Sequence, residues 1–152
     1  MVGQRTLNPF ILVRIQVQQL SMKLRNIKIE DYEKLIPFWK ANYFVTEMDS
    51  FERFKLFLEK NPGLSTMAEE NEVIIGTALG SFDGRRGYLQ KVVVYKALRK
   101  KGIGEQLVKN VIKKLQKISA TYIPISVEKD FASFYQKCGF KKTIQVPMNI
   151  NI

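Results

Sequence analysis

A chain of 152 residues with 45% hydrophobic content is most simply one domain with a core of its own, and it is too apolar for a disordered segment. Its 25 Lys and Arg against 14 Asp and Glu give a formal charge of +11, which suits an anionic partner: nucleic acid, an acidic protein or a polyphosphate cofactor. Histidine is absent and Cys138 is the one cysteine, which excludes Ser-His-Asp and Cys-His catalysis, a histidine-ligated metal and an intrachain disulfide.

Phe10 to Val13 is apolar, but Arg14, Gln16, Gln18 and Gln19 break the run and no small-residue cleavage site follows. The alternation from Ile11 to Val17 predicts a strand, so residues 1–21 read as an extension and residues 22–152 as the single domain. Met22 is a second candidate start. No apolar stretch approaches the ~20 residues of a membrane span. Met22 to Arg25 predicts a short strand. Glu30 to Tyr43 has helical spacing with acids in its first turn, and Pro37 should kink or split it. Ser50 caps a second helix that Asn61-Pro62-Gly63 ends. Strands follow at Leu64–Ala68 and Val73–Phe82, with Glu69 to Glu72 as their turn, and at Tyr88–Val94 after the Asp83-Gly84 turn. Next comes the clearest helix of the chain, Gly104 to Ile118, with Leu107, Val108, Val111, Leu115 on one face and Lys109, Lys113, Lys114, Lys117 toward solvent. Tyr122–Val127 reads as a strand, Phe131 to Cys138 as a short helix ended by Gly139, and Lys142–Ile150 as a final strand.

Between the Tyr88–Val94 strand and the long helix lies Arg99-Lys100-Lys101-Gly102-Ile103-Gly104. Two glycines at a helix start leave backbone N–H groups unpaired and let a phosphate approach them. Three cations ahead of a helix N-terminus repel its dipole unless an anion is there. The loop therefore predicts a pyrophosphate-bearing ligand on the N–H groups of Gly102, Ile103, Gly104 and Glu105, with Arg99, Lys100 and Lys101 adding charge.

Val94-x-x-x-x-Arg99-x-x-Gly102-x-Gly104, with Phe134-Tyr135-x-x-x-Gly139-Phe140 about thirty residues on, resembles the GNAT acetyltransferase superfamily. Leu24-Arg25 with Glu30-Asp31-Tyr32 is similar to that family's opening strand-to-helix junction. Gly80 to Gly87 is similar to a hairpin of a bacterial subgroup near the ribosomal-protein acetyltransferases. The resemblance implies an α/β fold, a mixed sheet with helices on both faces, in which the parallel strands Tyr88–Val94 and Tyr122–Val127 splay apart. It implies acetyl-CoA as co-substrate, no metal, its pyrophosphate on the glycine loop and its pantetheine arm beside Val92, Val93 and Val94. It also implies that Tyr135 stands near the thioester sulfur. Glu128 and Phe131 depart from the family's usual asparagine and alanine.

Tyr135 is either a core aromatic on the Phe131/Phe134/Cys138 stripe or the general acid. A phenol near ~10 and a thiol near ~8.5 make full proton transfer uphill by about 2 kcal/mol, so hydrogen bonding to the sulfur is the better description of its role. A primary amine of pKa ~10.4 costs about 4–5 kcal/mol to neutralise at pH 7. Glu128, Glu47 and Asp83 are candidate bases, a water chain the alternative; a solvated charge is the ordinary reading of each carboxylate. Cys138 reads as a small buried hydrophobe. Arg85 and Arg86 read as solvated turn charges. The expected activity is acetyl transfer to a primary amine, in a ternary complex, in the cytoplasm, by a chain that binds neither nucleic acid nor membrane. Two rivals stand beside it: a catalytically silent CoA sensor, and a nucleic-acid binder whose affinity would fall steeply with salt. The Ile11–Val17 strand could pair with a second copy in a homodimer.

Overall fold

In the computed structural model, residues 21–152 are described, so the strand expected at Ile11–Val17 lies outside the described residues. Strand β1 (Lys23–Asn26) leads through a 3-10 turn (Ile29–Asp31) into α1 (Tyr32–Asn42). The turn is fixed by Arg25, whose guanidinium holds both Asp31 oxygens at 2.9 and 2.8 Å, while Lys28 N–H donates to Asp31 Oδ2. Helix α1 is unbroken across Pro37. Proline sits here in the second turn, and the missing N–H removes a single bond to the Glu33 carbonyl, which an exposed first turn can direct to water. Ser50 caps α2 (Phe51–Lys60) by accepting from Arg53 N–H.

Strands β2 (Thr66–Glu70), β3 (Val73–Phe82) and β4 (Gly87–Val94) complete a four-stranded sheet in the order β1-β2-β3-β4, antiparallel at every step. The β2–β3 turn is only Asn71-Glu72, both with positive φ (47° and 64°), the geometry a two-residue hairpin needs. Glu69 and Glu70 therefore belong to the strand, and Glu70 is buried.

Strand β3 sends side chains to two separate cores, its alternation shifted by a bulge at Ile75, where Ala68 pairs with Gly76 and Glu69 with Ile74. Ile75 and Ala78 pack with Leu107, Val111 and Leu115 of α3 (Ile103–Lys117) on one face. Ile74 and Leu79 pack with Leu35, Trp39 and Phe54 of α1 and α2 on the other. Three lysines of α3 face solvent as expected, but Lys114 does not. Its ammonium reaches Thr66 Oγ1 of β2 and Asn26 Oδ1 of β1, both at 2.6 Å, and burial pulls its pKa down.

Two expected strands are not formed. Residues 121–128 touch β4 through one backbone bond, Gly87 N to Tyr122 O at 3.0 Å, and carry no ladder. Pro124, which lacks an N–H, lies in the middle of that run. Beyond α4 (Ala132–Lys137), the Lys142–Ile150 stretch pairs with nothing among the described residues, and Ile144, Val146, Met148 and Ile150 are 80–102% exposed. It too contains a proline, Pro147, and its alternate apolar side chains meet no covering layer.

Candidate active site

Strand β4 is irregular where it matters. Thr77 pairs with Val93 and Leu79 with Gln90, so Lys91 and Val92 together oppose Ala78 in a β-bulge. Lys91 takes φ +47° to do so. A buried relay fixes the bulge: Trp39 Nε1 donates to Thr77 Oγ1 at 3.0 Å, and that hydroxyl donates to the Lys91 carbonyl at 2.8 Å. The Lys91 ammonium turns into the α1–α2 side, bonded to Asp49 Oδ2 at 2.9 Å and to the Phe44 carbonyl at 2.7 Å. Asp49 is held in turn by Thr46 N–H, and the Asp49 carbonyl accepts from the Tyr32 hydroxyl.

Tyr95 N–H bonds the Ile75 carbonyl, so strand alternation aims the N–H groups of Val94 and Val92 away from β3, at the free edge of β4. That is the edge from which residues 121–128 diverge. Val93 differs from its neighbours: it is 2% exposed, its side chain lies in the α1–α2 core, and its N–H faces β3.

The Arg99–Gly104 loop opens α3. Lys100 (φ +63°) and Gly102 (φ +86°) are both left-handed. A Cβ at Gly102 would meet nothing within 4 Å, so the space in front of the helix is open. The first intrahelical bond runs from Gln106 N–H to the Gly102 carbonyl, which leaves the N–H groups of Ile103, Gly104 and Glu105 outside the helical ladder. Left-handed turns followed by a helix N-terminus form a concave set of donors suited to phosphate. The Glu105 carboxylate turns aside to Lys109 at 2.6 Å, which lowers its pKa. Lys100 is exposed and Lys101 half-buried. The Arg99 guanidinium donates to the carbonyls of Val94 (3.2 Å) and Asn42 (2.7 Å) and ties β4 to the end of α1. Asn42 reinforces the joint by accepting from Lys96 N–H.

Gly104 also joins the two sequence signatures. A Cβ there would lie 3.1 Å from the Phe134 ring and 3.4 Å from Val94, so α4 sits close against the start of α3 and a larger residue at 104 would have to displace the Phe134 ring by a few tenths of an ångström. Tyr135 is half-buried between Phe134 and Phe140. Its pKa is pushed up to about 12, first by burial and then by the neighbouring Cys138 and Tyr43. A phenol so placed stays protonated and donates; handing its proton outright to a thiolate of pKa ~8.5 would cost about 5 kcal/mol. Burial also raises the Tyr43 phenol, and Glu128 adds to it, so Glu128, Tyr43 and Tyr135 share one region. Cys138 is buried, and its thiol pKa is raised by that burial.

Of the other expected acids, Asp83 is occupied: it accepts from the N–H groups of Arg85 and Arg86 at 2.7 Å and closes the β3–β4 hairpin. Arg85 and Arg86 are exposed turn residues. Glu47 is exposed in a 3-10 turn. Sequence reasoning missed Thr77, Lys91, Asp49 and Asn42. The available signal was a lysine inside the apolar β4 run, with an unexplained aromatic cluster, Trp39, Tyr43 and Phe44, upstream.

The profile of the acetyltransferase (GNAT) family matches residues 24–140 of this chain. An acetyltransferase of Pectobacterium atrosepticum is 28% identical over 110 residues, 72% of this chain and 78% of that protein. Among solved structures, a predicted acetyltransferase from Clostridium acetobutylicum, crystallised with acetyl-CoA, has TM-score 0.69 and 22% identity over 86% of this chain and 96% of its own. The glucosamine-6-phosphate N-acetyltransferase of Arabidopsis thaliana has TM-score 0.63 and 22% identity over 86% of this chain and 99% of its own.

Proposed function

The chain belongs to the acetyltransferase (GNAT) family, and from that membership we propose that it transfers an acetyl group from acetyl-CoA to a primary amine by direct attack in a ternary complex. The observation that carries this reading is the packing of Gly104 on Phe134, which joins an open phosphate cradle to the helix bearing Tyr135. Acetyl-CoA supplies the activated acyl group and the thiol that departs. The N–H groups of Gly102, Ile103, Gly104 and Glu105 hold its pyrophosphate, with Lys100 and Lys101 adding positive charge. Arg99 shapes the cradle from behind rather than binding the phosphates. The Val92 and Val94 N–H groups, on the free edge of β4, pair with the pantetheine arm and polarise the thioester carbonyl as negative charge develops on its oxygen. Tyr135 donates a hydrogen bond to the sulfur. The amine proton leaves through water toward Glu128, whose charge is felt at the Tyr43 phenol.

The Gly80–Gly87 hairpin supports a place near the ribosomal-protein acetyltransferases, and the single free cysteine supports a reducing, cytoplasmic setting. Thermal stabilisation by acetyl-CoA, with amine-dependent thiol release, tests the reading. Stabilisation without thiol release across amines and peptides would identify a CoA sensor instead.

A further inference from the structure

A cleft of roughly 480 Å³ opens on the α1–α2 face of the sheet. Phe44, Met48, Phe54, Phe57 and Leu79 supply apolar walls, and Gln90 and Lys91 bring one end of the cleft to the β4 bulge. Four charged side chains line it: Asp49, Arg53, Lys60 and Lys91. Asp49 and Lys91 neutralise one another, and their side chains are only 10% and 11% exposed. The Lys91 ammonium also covers Trp39, Tyr43 and Phe44, at 5.2, 5.6 and 4.7 Å from the ring centroids. The carboxylate and the aromatic faces that would receive a cationic ligand are thus already taken by a residue of the chain itself.

Arg53 and Lys60 remain. They are seven residues apart on α2, hence on one side of the helix and about 10 Å apart along it. Both are exposed, and among the described residues neither has an acidic partner at salt-bridge distance.

Resting on the transferase reading above, we infer that the acceptor is an amine carrying an anionic group, a carboxylate or a phosphate, at the far end of an apolar body. The amine enters toward the bulge, where the Val92 N–H faces the other edge of the same strand. The apolar body lies along Phe54, Phe57 and Leu79. The anion meets Arg53 and Lys60, which no acidic side chain among the described residues pairs at salt-bridge distance. A polyamine entering the same way would bring its second ammonium against those two cations, with Asp49 already engaged by Lys91.

The test uses the full chain saturated with acetyl-CoA and four amines: 4-(aminomethyl)benzoate, 4-(aminomethyl)phenyl phosphate, 4-methylbenzylamine and spermidine. Thiol release gives kcat/KM, and titration calorimetry gives the binding of each amine. At least one anionic amine exceeds 4-methylbenzylamine tenfold in both readouts, spermidine ranks last, and the better anionic arm tells carboxylate from phosphate. Arg53→Gln and Lys60→Gln, both at exposed positions, each lower the ratio of kcat/KM for the better anionic amine to that for 4-methylbenzylamine at least threefold. Turnover or binding of 4-methylbenzylamine or spermidine equal to the anionic amines overturns the inference and leaves the transferase reading standing. The predicted binding order with no thiol release from any amine upholds the anionic preference and overturns the transferase reading. Failure of both anionic amines to bind overturns the inference.

Discussion

Replacing Thr77 by valine keeps side-chain volume and β-branching while deleting the hydroxyl that joins Trp39 Nε1 to the Lys91 carbonyl. Thr77 and Trp39 are both 0% exposed, so the indole N–H is left buried with no acceptor. A buried donor stranded in this way costs about 1–3 kcal/mol. The Lys91 carbonyl, part-buried, loses its donor as well. The expected destabilisation is about 2–3 kcal/mol, a fall in Tm of roughly 4–12 °C for a domain of this size. Trp39 is the one tryptophan of the chain, so its fluorescence reports urea unfolding from the relay itself. Thr77→Ser keeps the hydroxyl and should recover most of the loss. A Thr77→Val protein within 0.5 kcal/mol of the parent would refute the idea that this relay holds the bulge.

Tyr135→Phe should lower kcat about tenfold, the weight of one hydrogen bond to developing charge, and leave acetyl-CoA affinity within about twofold. Because burial pushes the Tyr135 phenol up to about 12, the parent kcat should show no alkaline fall due to this group up to about pH 10; such a fall, abolished in Tyr135→Phe, would contradict its placement. Arg99→Ala should cost about 1–2 kcal/mol of stability, with acetyl-CoA affinity within about threefold, because its guanidinium serves two carbonyls. Affinity tenfold weaker at unchanged stability would put the guanidinium on the phosphates. Burial raises the Asp31 pKa, but the Arg25 guanidinium and Lys28 N–H outweigh it and hold the pKa below the usual carboxylate value. The Asp31 contribution is therefore complete above the unfolded pKa of ~3.9 and lost as pH falls through the folded value. Asp31→Asn should cost on the order of 2 kcal/mol at pH 7 by urea unfolding, and the gap to the parent should close in acid.

The elements that announced themselves in the sequence are those whose cause is local. Ser50 caps α2 through its own hydroxyl, the Leu107–Leu115 stripe defines the buried face of α3, and the left-handed loop needs its Gly102. What escaped depends on partners distant along the chain. Lys91 looks like a solvated strand residue until Asp49, forty-two positions earlier, is seen beside its ammonium. Arg99 belongs to a basic run, and its bond to the carbonyl of Asn42, fifty-seven positions earlier, is visible only in the fold. The alternating runs at Tyr122–Val127 and Lys142–Ile150 have strand periodicity, but each contains a proline, and periodicity does not supply a neighbour to pair with.

The sheet works as a partition between two cores. The glycine cradle and Tyr135 lie with α3 and α4 on one side, and the cleft with Arg53 and Lys60 lies with α1 and α2 on the other. The two cores share β3 and β4 but contribute separate side chains, so substitutions on opposite faces should add rather than interact. On the proposed reading, the α2 surface can then change its choice of amine over many generations while the glycine loop stays as it is. Tyr95, which packs against both cores, answers to both sides at once.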